Sequence, residues 1–137
     1  MAAAFDVLLK VARTRRDAAA QAMNVVQQQV ARARAEIGRL DDIERATRPT
    51  DETIFATGAF LCQINRRKRK LLDEMPGLER RLDAAKQDVI EAFGECKRLE
   101  ILMERQARAA AQEEARRDSR HVDELARLQF QHRTVRP

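Results

Sequence analysis

The sequence predicts an all-α protein, an antiparallel two-helix coiled-coil hairpin with a C-terminal helical overhang, which forms one unit over residues 1–137. Aromatic residues make up 4% and charged residues 36% of the chain, and Gly and Pro are few. This composition suits long exposed helices, because the prevalent side chains lose little rotamer freedom there. Apolar residues also recur at alternating steps of three and four. The sequence lacks the patterns of a β-sandwich or a compact α/β enzyme.

The first helix is predicted over about residues 5–46. Nine of its ten stripe positions are apolar, and Arg16 is the exception. A 3.5-residue repeat of this length indicates a coiled-coil seam, because slight underwinding keeps one stripe facing a partner. The first seam comprises Leu9, Ala12, Arg16, Ala19, Met23, Val26, Val30, Ala33, Ile37 and Leu40.

The chain reversal is predicted over about residues 47–58. Pro49 disfavours helical backbone at the residue before it. Thr50 and the two acids that follow it are typical of a helix N-cap and an acidic first turn. Gly58 is a second flexible point, so the sequence places the turn between these residues.

The second helix is predicted over about residues 59–132, with a kink at Pro76. Twelve of the thirteen positions in its seam are apolar, and the heptad register passes through Pro76 without slipping. This favours a kinked continuous helix over a third separate helix. The second seam comprises Leu61, Ile64, Lys68, Leu71, Met75, Leu78, Leu82, Ala85, Val89, Ala92, Cys96, Leu99 and Met103.

The end of the second seam predicts the overhang. If the chain reverses near residue 54, Phe5 lies opposite a residue near Met103, and the next seam positions are largely polar. The apolar seam thus ends where a folded-back first helix would end. This agreement favours a hairpin within one chain over parallel helices from two chains. About 25–30 residues would then project without a partner and be marginal as an isolated helix. The exposed apolar residues near its end are Val122, Leu125, Leu128 and Phe130.

The sequence contains no catalytic or metal-binding constellation. His121 and His132 have no nucleophile or paired carboxylate at a suggestive spacing. Cys62 and Cys96 lack metal-ligand spacing and are typical of two unpaired thiols in a reducing compartment. No signal-peptide or membrane-spanning pattern is present. We therefore expect a cytoplasmic protein that is not an enzyme and binds no cofactor or metal.

The densest charge run covers residues 65–70, close to the predicted reversal. It indicates a solvated helix surface, or a basic knob for an acidic protein, a membrane headgroup layer or nucleic acid. Without interleaved aromatic residues it offers no platform for base stacking, so protein contact is favoured. A nucleic-acid-associated helical protein using Arg66–Lys70 and a generic coiled-coil adaptor stay open as alternatives.

Several segments carry a family resemblance. They are Glu95–Gln106, Glu113–Asp118 and Asp123–Ala126 in the C-terminal half, and Phe5–Leu9 with Arg16–Ala19 near the N-terminus. With the length, the two-helix layout and the basic tail, they resemble the FliJ family of small flagellar type III export proteins. The stalk proteins of virulence-type injectisomes share the same plan and are the alternative.

The resemblance implies a stalk and coupling factor. FliJ proteins are similar in fold to the two-helix coiled coil of the rotary ATP synthase gamma subunit. They insert into the hexameric export ATPase, promote its assembly, link it to the membrane export gate and escort export chaperones. The expected partners are therefore this ATPase, the gate protein and chaperones, and not nucleic acid. The chain is expected to be a monomer when free, cytoplasmic, and peripheral to the inner membrane at the flagellar base through its partners.

The same resemblance suggests which end meets which partner. By analogy, the paired termini and the overhang enter the ATPase, and the reversal faces the gate. The candidate ATPase-binding residues, chosen by their expected exposure, are Arg105, Arg108, Arg116, Arg117, Arg120 and Arg127. Some family members contact the gate through aromatic residues near the reversal, but this chain has no Tyr or Trp. The candidate gate-contact residues are Phe55, Phe60, Arg66 and Arg67.

Overall fold

The computed structural model describes residues 2–48 and 50–135 and contains two helices. Helix α1 spans Ala2–Ala46 and helix α2 spans Ile54–Val135. At 1.5 Å per residue they are about 67 Å and about 120 Å long. They pack against each other, and the described part of the chain contains no strand. The prediction of an all-α helical hairpin is confirmed.

The helix boundaries differ from the predicted ones around the reversal. Helix α2 begins at Ile54 rather than near residue 59, so the reversal occupies only residues 47–53 and Gly58 lies inside α2. At the outer ends, α1 begins at Ala2 instead of residue 5, and α2 ends at Val135 instead of residue 132. Pro49, which carried part of the turn prediction, lies outside the described residues.

A short turn explains why the N-cap is not Thr50, as predicted, but Thr53. The Thr53 amide donates a hydrogen bond to the Thr50 carbonyl at 3.0 Å, and the two hydroxyls lie 2.6 Å apart. The amide of Thr57 donates to the Thr53 carbonyl at 2.8 Å, which is the first bond of the helical type. The two acids of the predicted first turn therefore belong to the turn that precedes α2.

Both predicted seams form the interface. All ten positions of the first seam and all thirteen of the second are buried or half-buried, and Leu40, at 1% exposure, is the most buried. One core cluster contains Leu9, Ala12 and Cys96, with Leu99 and Met103 against it. Another contains Val30, Ala33 and Met75, with Ile37, Leu78 and Leu82 against it.

Ion pairs across the interface show the antiparallel register. Arg34 Nη2 lies 3.4 Å from Glu79 Oε1, and near the open end Arg13 Nη2 lies 3.8 Å from Glu100 Oε1. Because α2 is antiparallel to α1 and Lys68 pairs with Asp41 and Glu44, the last turn of α1 lies beside residues of α2 that precede Lys68. The first turns of α2 therefore extend beyond the end of α1.

Each seam has one basic residue, and each of these side chains has partners. Arg16 Nη1 lies 3.7 Å from the sulfur of Cys96, and the guanidinium stacks 5.6 Å from the Phe93 ring centroid. Lys68 pairs with Asp41, and its Nζ lies 3.4 Å from Glu44 Oε2. The hydrogen bond to Asp41, reinforced by the charges of both acids, raises the pKa of Lys68 above its usual 10.5.

Helix α2 continues through Pro76. The preceding residue, Met75, is buried in the core, whereas Pro76 is exposed. Proline removes one backbone hydrogen bond, and on the exposed face water can satisfy the carbonyl that loses it. One continuous helix is therefore observed, and the kink at this residue stays a prediction.

The interface ends at Met103. Every side chain from Glu104 to Thr134 is exposed, and only the first two turns of this segment lie beside α1, at Phe5. We call residues 104–135 the overhang. Its start agrees with the place where the second seam loses its apolar character.

Candidate interaction surfaces

The two ends of the hairpin carry the candidate functional residues. Among residues 2–48 and 50–135, no group of three His, Cys, Asp or Glu side chains could hold a metal ion. Within the same two segments, no helix is long and apolar enough to cross a membrane. The features with binding chemistry are stripes and shallow grooves on the helix surfaces.

Four of the six predicted ATPase-contact arginines share one face of the overhang. Arg105, Arg116, Arg120 and Arg127 are separated by eleven, four and seven residues, which are close to three, one and two helical turns. All four are exposed, and none makes an ion pair with another described residue. We call them the arginine stripe; Asp123 lies on the same face and lines a groove with Arg120 and Arg127.

The other two arginines lie on different faces and pair within the helix. Arg108 Nη2 lies 3.1 Å from Glu104 Oε1, and Arg117 Nε lies 4.0 Å from Glu113 Oε1, both with the acid four residues earlier. Such pairs support an isolated helix by about 0.2–0.5 kcal/mol each. The structure therefore does not bring all six arginines into one surface.

Apolar side chains occupy part of the opposite face of the overhang. Ala107, Ala111, Val122 and Leu125 are spaced at four, eleven and three residues, about 180° around the helix from the arginine stripe, and Glu114 and Asp118 lie on the same face between the two pairs. Val122 is 62% and Leu125 49% exposed. Sequence reasoning noted the apolar residues but not this amphipathic arrangement, which their spacing to the arginines could have shown. The overhang thus carries the arginine stripe on one face and two short apolar patches, Ala107 with Ala111 and Val122 with Leu125, on the other.

A further groove at the open end was not predicted. Phe5 of α1 and Met103, Gln106, Ala107 and Ala110 of α2 line a mostly apolar furrow of about 350 Å³. It lies where the paired helices give way to the overhang. The first apolar patch of the overhang therefore lies beside α1.

The four predicted gate-contact residues divide between two faces at the reversal end. Phe55, which is 93% exposed, and Arg66 are eleven residues apart on the face of α2 that points away from α1. Phe60, 43% exposed, and Arg67 are seven residues apart on a flank beside the seam. The structure therefore pairs one phenylalanine with one arginine on each face.

The flank face carries an open groove of about 500 Å³. It is lined by Gln63, Arg66, Arg67, Lys70, Leu71 and Glu74. Arg67 Nε lies 3.3 Å from Glu36 Oε1, and Arg39 Nη2 lies 2.7 Å from the same atom. The hydrogen bond from Arg39, with smaller contributions from the charges of Arg39 and Arg67, lowers the pKa of Glu36 below its usual 4.5. This network holds one wall of the groove against α1.

Comparison with known proteins gives a family match over nearly the whole chain. Residues 1–134 match the protein family described as Flagellar FliJ protein. No curated protein and no solved structure matches the chain. The matched region contains α1, the reversal and all but the last residue of α2.

Proposed function

The chain belongs to the FliJ family of flagellar export proteins, and we propose that it is a non-catalytic stalk and coupling factor of the export ATPase. In this role the overhang inserts into the hexameric ATPase, and the reversal end meets the export gate. The observation that carries the proposal is the overhang, a long and fully exposed helical segment that extends beyond α1.

The physical chemistry of the overhang supports insertion into a protein ring. The overhang continues α2 but gains little from tertiary packing, which supplies most of the stability of helices in proteins. Its amphipathic surface carries the arginine stripe on one face and exposed Val122 and Leu125 on the other. A pore with acidic and apolar walls would order this helix and satisfy both faces.

The flank face at the reversal supports contact with the gate protein. Phe60 and Arg67 project there beside an open groove, and Arg67 is held by Glu36. A partner segment with an apolar side chain and a carboxylate would fit this arrangement. The hairpin would then connect the ATPase at one end with the gate at the other, over a distance set by the length of α2.

The remaining parts of the proposal concern the protein in the cell. We place it in the cytoplasm, at the inner membrane below the flagellum, with export chaperones as further partners and a monomer as the free form. Nucleic acid is not among the proposed partners, because no aromatic side chain interleaves with the basic residues 66–70. A cytoplasmic site also accords with two free cysteines.

ATP hydrolysis by the purified export ATPase tests the proposal. Titrating the full chain into the ATPase should raise both the hydrolysis rate and the fraction of hexamer. The variant R116E/R120E reverses two charges of the arginine stripe and should abolish most of this stimulation, because it repels acidic pore residues. The matched control R80E/R81E reverses two exposed charges in the paired region of α2 and should stimulate like the wild type.

Circular dichroism shows whether each variant keeps its helical content. Equal stimulation by R116E/R120E and the wild type would remove the arginine stripe from the proposal. No stimulation by the wild-type chain at any ratio would contradict the coupling role itself.

A further inference from the structure

We propose that the reversal end of the hairpin binds directly to an anionic lipid surface. The binding face is the outer stripe of α2, which comprises Phe55, Ala59, Cys62, Arg66, Arg69 and Lys70. This inference goes beyond the proposed function, because the partner is a bilayer rather than a component of the export apparatus.

The geometry of α2 makes the outer stripe one continuous face. Phe55, Ala59, Cys62 and Arg66 follow each other at steps of four, three and four residues, and all are exposed. On an α-helix this stripe lies about 160° from the seam residues Ile64 and Lys68, and it extends over about 22 Å. Helix α1 packs on the seam side, so nothing of the hairpin stands between the stripe and a flat surface.

The loop of the reversal leaves this face free. Thr57 lies at the seam position four residues before Leu61, is half-buried, and donates its hydroxyl to Thr53 Oγ1 at 3.4 Å. The turn that precedes α2 therefore contacts the seam side of its first turns. Phe55, on the other side, keeps 93% of its surface exposed.

The charges at this end are separated by face. Residues 41–74 contain seven basic and seven acidic side chains. The net charge of this end is therefore zero and by itself favours neither an anionic nor a cationic partner. Lys68 pairs with Asp41 and Glu44, and Arg67 pairs with Glu36, all on the side towards α1.

The cations of the outer stripe have no such partners. Arg66, Arg69 and Lys70 form no ion pair within residues 2–48 and 50–135, and the acids nearest to them on α2 are Asp73 and Glu74 in the next turn. The outer stripe therefore presents unneutralised positive charge despite the balanced composition of this end.

The order of residues along the stripe matches a membrane interface better than a protein groove. The stripe is apolar from Phe55 to Cys62 and cationic from Arg66 to Lys70, a single helix forms it, and it borders the flank groove only at Arg66 and Lys70. A bilayer accepts such a stripe along its whole length. Phe55 enters the boundary between headgroups and acyl chains, and the long basic side chains reach lipid phosphates. Insertion of an apolar side chain and attraction of a basic cluster to anionic lipids add up to reversible membrane binding. Either contribution alone would be too weak to hold the protein at the membrane.

The expected effects follow from these two contributions. Each Lys or Arg near an anionic surface changes the partition coefficient about fivefold, so neutralising all three cations should lower it on the order of 100-fold. Replacing Phe55 by alanine removes most of the inserted apolar surface and should lower the partition coefficient about tenfold. Neither variant touches the seam, so the hairpin should keep its stability.

Co-sedimentation of the full chain with vesicles tests the inference. The wild type should bind vesicles containing about one-third phosphatidylglycerol, release at high salt, and stay in solution with pure phosphatidylcholine. The variants R66Q/R69Q/K70Q and F55A should bind more weakly by the factors above. The matched control R80Q/R81Q/K86Q removes three exposed charges elsewhere on α2 and should bind like the wild type.

Three results would overturn the inference. They are no binding of the wild type to anionic vesicles, an equal loss in the control variant, and unchanged binding by F55A. A partner that is an acidic protein instead of a bilayer would give the first of these. The ATPase assay separates this inference from the proposed function, because R66Q/R69Q/K70Q should stimulate hydrolysis like the wild type even when it no longer binds vesicles.

Discussion

Leu40 offers the sharpest test of the hairpin interface. It is 1% exposed, and the register places it beside Leu71 of the second seam. The substitution L40A removes three buried carbon atoms, so the lost transfer free energy is roughly 2.4 kcal/mol at about 0.8 kcal/mol per carbon. The residual cavity adds a smaller amount, because the neighbouring helices can partly close it. We expect a total loss of about 3 kcal/mol in the free energy of unfolding.

Urea unfolding followed by circular dichroism at the helical band measures this loss. The matched control is L125A, which makes the same substitution at a 49% exposed position of the overhang and should change the free energy by less than about 0.5 kcal/mol. In thermal unfolding, L40A should lower the midpoint by about 10–20 °C. Similar values for L40A and L125A would show that Leu40 does not lie in a packed interface, and the proposed register would be wrong.

Further predictions concern the reversal, the ionic network and the thiols. The substitution G58A should raise the free energy of unfolding by about 0.5–1 kcal/mol, because Gly58 is helical, has no positive φ and has no atom within 4 Å of an added Cβ. If urea unfolding showed a lower free energy of unfolding for G58A instead, Gly58 would lie outside α2. Because the folded-state pKa of Glu36 is lowered, its stabilisation should be present above pH 4.5 and lost as the pH falls through the folded pKa. The raised pKa of Lys68 has the opposite consequence, namely stabilisation below pH 10.5 that is lost as the pH rises through the folded pKa. Urea midpoints across pH check both limbs, and E36Q should flatten the acid limb, whereas an unchanged acid limb would contradict the role of Glu36. In a thiol-reagent assay Cys62 should react at once and Cys96, which is 2% exposed, only as the hairpin opens; two equally fast thiols would contradict the core at Cys96.

The interface was predictable because the spacing of apolar residues in a coiled-coil sequence determines which residues face the partner helix. Residues at alternating steps of three and four must share one face, and even the polar exceptions Arg16 and Lys68 occupy their expected places. The start of the overhang followed from the same spacing. Seam positions beyond Met103 are largely polar, as expected where no partner helix buries them.

The reversal was less predictable because its geometry depends on local hydrogen bonds. Thr50 and Thr53 both suit an N-cap by residue type, and only the turn they close together decides that Thr53 precedes the helix. The number of α2 residues that precede its contact with α1 depends on which threonine is the N-cap. Sequence spacing alone therefore placed the helix start five residues too late.

The candidate surfaces show a different limit. The overhang arginines were chosen by their expected exposure. A binding surface also requires that its side chains lie on the same face of the helix. Arg108 and Arg117 fail this second criterion, and pair with Glu104 and Glu113 instead. Phe55 and Phe60 likewise lie on different faces of α2, and only Phe60 is on the flank beside the groove.

Hydrogen exchange of the full chain, alone and with the export ATPase, tests the central claim most directly. In the free protein, amides of the seam segments 9–40 and 61–103 should be protected, whereas those of the overhang should exchange fast, because it gains little from tertiary packing. Addition of the ATPase should protect residues 104–134 and leave residues 54–70 unchanged. Protection that appears at the reversal instead, with the overhang still exchanging fast, would contradict the account.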